Sequence, residues 1–149
     1  VTVNATVEGY WCEVVARSSV DGREWFLGGC RANSPRLAIR WLRGRAHRLA
    51  NALDPIPGVG PLPPECLHLA SAESPNPGNI FRKWAMDMHH QGKQMNALAN
   101  GRSISINAGG PDRIFGLADT DLFLSLTCRP MMLDFVTEWR LSEADYAAA

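Results

Sequence analysis

Only two lysines, Lys83 and Lys93, occur in the 149 residues, against thirteen arginines. Such a bias points to a GC-rich bacterial genome and carries no chemistry. Net charge is lacking too: fifteen basic residues balance fifteen acidic ones. That removes the global electrostatic argument for a dedicated polyanion binder and leaves only local ones. Charged residues interrupt every apolar run well short of the about 18 residues that a spanning helix requires. The N-terminus has no basic region followed by an apolar stretch, so the cytoplasm is the expected compartment. Nucleophile and phosphate-loop motifs are also missing, with no Gly-x-Ser-x-Gly, no glycine-rich loop ending in Lys-Ser/Thr and no Gly-x-Gly-x-x-Gly. The common hydrolase, nucleotidase and dinucleotide signatures are thereby excluded.

Cysteine is sparse. Cys12, Cys30, Cys66 and Cys128 are too scattered for a disulfide scaffold, and free thiols are expected. Asp21-Gly22 suits a two-residue hairpin turn, in which both central residues take positive φ. With that turn, Cys12 faces Arg31 and Cys30 faces Glu13. The two cysteines would then point to opposite sides of the sheet and could not bridge.

Apolar residues make up 46% of the chain and charged residues 20%, enough for a core without disorder-promoting charge. One domain over 1–149 is expected, with a ββα half (1–54), a connector at 55–64 holding five prolines and two glycines, and an αβ half (65–149). Aromatic and β-branched runs at 8–18 and 23–30 read as the hairpin. Ser34-Pro35 is a cap followed by proline at the first helical position and opens a helix to about Leu53. A second helix is expected from about Asn79 to Asn100, ending at Asn100-Gly101. Beyond it, Ile104 and Ile106, Arg113–Leu117, Leu122–Cys128 and Met131–Trp139 read as strands, with a turn at 107–111, and Glu143–Ala149 as a short helix. The fold class is therefore α+β: an antiparallel sheet of about five or six strands, formed by an N-terminal hairpin and a C-terminal meander, packed by two main helices.

Three constellations carry chemistry. Arg31, Arg36, Arg40, Arg43, Arg45 and Arg48 occur with no acid between Arg31 and Leu53. Arg36, Arg40, Arg43 and His47 fall on one helical face and could follow a phosphate backbone or meet an acidic partner. Residues 112–149, with seven acids and three arginines, are an internal counterpart. Cys66-x-His68 and Asp87-x-x-His90 offer soft and imidazole donors for zinc, or a thiol with a nearby base, although the spacing matches no standard pattern. Five tryptophans suit a core first and interface anchors second. The leading expectation is a non-catalytic binding or regulatory protein acting through protein contacts, including self-association as a homodimer. Nucleic-acid binding by the arginine-rich helix 35–53 is the alternative, and a small enzyme or zinc protein the next.

Overall fold

The computed structural model describes residues 6–67, 76–112 and 120–133. The expected strand Arg113–Leu117, the part of Met131–Trp139 beyond Leu133 and the expected helix Glu143–Ala149 lie outside those residues. In chain order the elements are β1 (Thr6–Ser18), β2 (Glu24–Ala32), α1 (Pro35–Leu53), a 3₁₀ turn (Pro64–Cys66), α2 (Pro77–Met86), α3 (Met88–Ala99), β3 (Ile104–Asp112) and β4 (Thr120–Leu133). The sheet has the order β2-β1-β4-β3 and every pairing is antiparallel. Two hairpins are thus joined edge to edge through β1 and β4, which pair from Thr6↔Leu133 to Ser18↔Leu122.

The α+β class with an antiparallel sheet holds, while its details differ. Among the described residues the sheet has four strands where five or six were expected, and two stretches expected as turns are extended backbone. The Asn107-Ala-Gly-Gly stretch belongs to β3 and pairs with β4 through Gly110↔Leu122. Arg129-Pro130 continues β4 rather than ending a strand. Pro130 pairs with Tyr10 beyond the point where β3 stops, so among the described residues β4 has one neighbour there, the place where a strand tolerates a residue with no N–H.

The described residues hold three helices where two main ones were expected. The single helix expected over 79–100 breaks at Asp87, whose backbone (φ −86, ψ 80) is not helical and whose Oδ1 accepts from His90 N at 3.0 Å. An aspartate that caps a new helix satisfies one of its orphan N–H groups.

The hairpin register also differs. Ser18 and Arg23 close the turn (Ser18 N to Arg23 O, 2.9 Å), so Asp21 and Gly22 lie in a four-residue loop. A bulge follows: Val15 pairs with Phe26 but Val14 with Gly28, leaving Leu27 as the extra residue. One extra residue reverses the facing of everything beyond it. Hence Cys30 stands directly opposite Cys12, on its own face and not the opposite one. All four cysteines are free thiols.

The helices cover one face of the sheet. Tyr10, Cys12, Val14 and Ala16 alternate along β1 and meet Ala38, Ile39, Leu42, Ala46 and Ala50 of α1 in a core completed by Phe81, Leu98, Ile106 and Leu126. Ser34 Oγ accepts from Leu37 N at 3.2 Å and starts α1 as its sequence implies. Within this core the Cys12 thiol donates to Cys128 Sγ at 3.5 Å. That bond, then burial, pushes Cys12 far above the usual thiol range, while the same bond holds Cys128 below it against the opposing effect of burial. No helix among the described residues is long and apolar enough to cross a membrane.

Candidate functional site on the uncovered face of the sheet

Strand alternation that sends Tyr10, Cys12, Val14 and Ala16 to the helices sends Trp11, Glu13, Val15 and Arg17 the other way. The register aligns them into rungs across the strands. Phe26, Val15, Ser125 and Asn107 form one, and Gly29, Glu13, Thr127 and Ser105 the next. Glu24, Arg17, Phe123 and Gly109 form a third, nearer the β1–β2 turn. No described helix covers this face, and a shallow concavity of about 640 Å³ runs across it, lined by Glu13, Arg17, Glu24, Phe123, Ser125 and Thr127 among others.

Two aromatic side chains lie exposed here, Phe26 at 62% and Phe123 at 49%. Each rests on a glycine. A Cβ on Gly109 would come within 2.6 Å of the Phe123 ring, and one on Gly29 within 2.7 Å of Trp11 and 2.8 Å of Phe26. Absence of a side chain at those two positions lets the rings lie against the backbone, as an aromatic covering a strand glycine does.

Seven side chains on this face are tied to one another. Trp11 Nε1 donates to Glu13 Oε2 at 2.9 Å, and Arg17 pairs with Glu24. Ser125 Oγ donates to Asn107 Oδ1 at 2.7 Å, and Asn107 Nδ2 donates to Ser105 Oγ at 3.2 Å. Glu13 and Glu24 therefore stand as hydrogen-bond and ion-pair acceptors beside apolar rings. Such a face offers stacking, shape and a few polar contacts, which is the chemistry of binding.

The residues singled out from sequence are dispersed. Arg31 lies on β2 on this same face, with NH2 3.5 Å from Glu8 Oε1 and 3.4 Å from Glu8 O. Arg36, Arg40 and His47 are exposed on α1 in the helical layer. Arg43 leaves that stripe: Nε and NH2 donate to Gln91 Oε1 at 3.0 and 2.6 Å. Arg45 stacks on Trp41, 4.9 Å from the ring centre. Asp87 caps α3, with His90 exposed in its first turn. Cys66 is exposed at the end of the 3₁₀ turn, and His68 lies outside the described residues. Among the described residues no group of three or more His, Cys, Asp or Glu side chains is placed to hold a metal ion.

Sequence reasoning missed the concave face as a unit. Its signal was the mixed parity Trp11, Glu13, Val15, Arg17 and Phe123, Ser125, Thr127, Arg129, which is too polar for a core and too aromatic for an ordinary solvent face. Compared with known proteins, the chain matches no protein family, no curated protein and no solved structure.

Proposed function

We propose that this chain is a non-catalytic binding protein that works through protein contacts, and that the uncovered face of its sheet docks a second copy of the same chain. The observation that carries this reading is the exposure of Phe26 and Phe123 on a concave face where Glu13, Arg17, Glu24, Asn107 and Ser125 are already paired with one another or with neighbours on the face. A face held in place by its own hydrogen bonds loses little freedom on binding, and exposed aromatics supply the area. Charge argues for a like partner. The face mixes Arg17, Arg31 and Arg129 with Glu13 and Glu24, and the whole chain is neutral, so two copies meet without net repulsion.

Sedimentation velocity across a concentration series tests it. Wild-type protein is expected to dimerise, and Phe26→Glu and Phe123→Glu to weaken the dimer at least tenfold while retaining the wild-type circular dichroism spectrum. A wild-type chain that stays monomeric at its highest attainable concentration overturns the reading.

A second reading, nucleic-acid binding by α1, is favoured by a separate observation. Arg36, Arg40 and Arg48 are exposed and have no ion-pair partner among the described residues. Exposed arginines without acidic partners remain available for phosphate oxygens.

A further inference from the structure

On the covered face, three cysteines stand in one rung. Cys30 of β2 and Cys128 of β4 are the register partners of Cys12, one on each flank. Directly opposed residues of antiparallel strands share a face with Cα atoms about 4.5–5.5 Å apart. That separation falls inside the about 4.4–6.8 Å that a disulfide spans. Cys12 Sγ and Cys128 Sγ are already in contact at 3.5 Å. Both are completely buried beneath α1, where the Cys12 thiol also lies 4.0 Å from Ala38 O. Cys30, on the edge strand, is only half-buried, and its thiol lies 3.5 Å from Arg31 O.

We propose that Cys30, Cys12 and Cys128 form a redox relay: a peroxide reacts at half-buried Cys30, and the oxidation passes inward to a disulfide between Cys12 and Cys128. This goes beyond the binding role, since it uses the opposite face of the sheet.

The relay needs three steps. In the first, Cys30 sulfur attacks one oxygen of hydrogen peroxide. The S–O bond forms, the O–O bond breaks, and the departing hydroxide takes the thiol proton to leave water and a sulfenic acid. Cys12 sulfur then attacks Cys30 Sγ. The S–S bond forms, the S–O bond breaks, and the Cys12 proton leaves with hydroxide as a second water. Finally Cys128 sulfur attacks Cys12 Sγ, and Cys30 departs as a thiolate that takes up the Cys128 proton. Two thiols have lost two electrons and two protons in all, and one peroxide has become two waters.

Rung geometry suits the last step. Thiol–disulfide exchange proceeds by attack on a disulfide sulfur with expulsion of the other. Strands β2 and β4 flank β1 on opposite sides, about 4.7–4.9 Å away each, so attacking and leaving sulfurs approach Cys12 from opposite directions. Burial of the final pair then protects it from a bulky external thiol, whereas Cys30 returns to the reduced state at the edge.

Peptide mapping after exposure to equimolar hydrogen peroxide tests the relay, in a Cys66→Ser background that prevents bridging between molecules through the exposed thiol. The expected product is a Cys12–Cys128 linked peptide that dithiothreitol dissolves. Cys30→Ser should slow its formation at least tenfold, and Cys128→Ser, or Cys128→Ala should the serine disturb folding, should trap a Cys12–Cys30 link. A Cys30→Ser protein that forms the Cys12–Cys128 bridge at the parental rate removes Cys30 from the path. Oxidation that ends on Cys30 with no linked peptide overturns the proposal altogether.

Discussion

Arg43 of α1 reaches α3 and donates from both Nε and NH2 to a single oxygen of Gln91, at 3.0 and 2.6 Å. Gln91 is completely buried, and its Nε2 donates in turn to Trp84 O at 2.7 Å and Ala85 O at 3.1 Å, near the end of α2. One amide thus joins all three helices where α2 gives way to α3. Gln91→Leu would take the acceptor from the Arg43 guanidinium and the side-chain donor from Ala85 O and Trp84 O, of which Trp84 O keeps Asp87 N at 3.1 Å. It is expected to cost about 2–4 kcal/mol, with Arg43→Ala costing about 1–3 kcal/mol. Exposed Arg40→Ala should stay within about 0.5 kcal/mol of wild type. Urea midpoints at constant m-value measure all three. Equal costs at positions 40 and 43 would contradict the network.

Small residues separate in the same assay. A Cβ at Gly78 would meet Asp54 Cβ at 2.6 Å and Asp54 N at 2.9 Å, and backbone cannot swing aside. Gly78→Ala should therefore destabilise by about 1–3 kcal/mol. Nothing lies within 4 Å of a Cβ at Gly92 in α3, so Gly92→Ala should stabilise by about 0.5–1 kcal/mol through helix propensity and unfolded-state entropy.

Arg82 closes the C-terminal end of α1. Its NH1 donates to Asp54 Oδ2 at 2.8 Å, and its NH2 to Ala50 O at 3.2 Å and Asp54 O at 2.5 Å. A guanidinium at a helix C-terminus satisfies orphan carbonyls and opposes the dipole. Arg82→Met is expected to cost about 1–3 kcal/mol, and Arg82→Lys to recover only part because it lacks the fork. The loss should persist in high salt, since the pair is part-buried and screening acts mainly on exposed charge. A loss abolished by salt would make this an ordinary surface pair.

For the basic helix, gel shifts with single-stranded and duplex nucleic acid over a salt series decide. If α1 holds phosphates, the logarithm of affinity should fall by about 0.7–0.9 per phosphate contact for each log unit of salt. Changing Arg36, Arg40 and Arg48 together to alanine should flatten that slope. Arg43 is unsuited to the test, because its loss would loosen the helical layer through Gln91. Binding that ignores both salt and the triple substitution removes α1 as a nucleic-acid surface.

Local chemistry by itself determined a good part of this protein. Ser34-Pro35 starts α1, the stripe Ala38, Leu42, Ala46 faces inward, the Asp21-Gly22 region turns a hairpin, and 104–106 begins a strand, because caps, turns and periodicity act within a few residues. Tertiary structure alone decided the rest, where an answer depends on partners distant in sequence. Glycines at 109 and 110 read as a turn until β4 lies alongside and Phe123 covers Gly109. A single extra residue, Leu27, reverses the facing of Cys30 and sets it opposite Cys12, and sequence parity cannot reveal a bulge. Arg43 belongs to the basic stripe by spacing and to Gln91 by packing, since a buried amide oxygen from 48 residues away is where its guanidinium finds an acceptor.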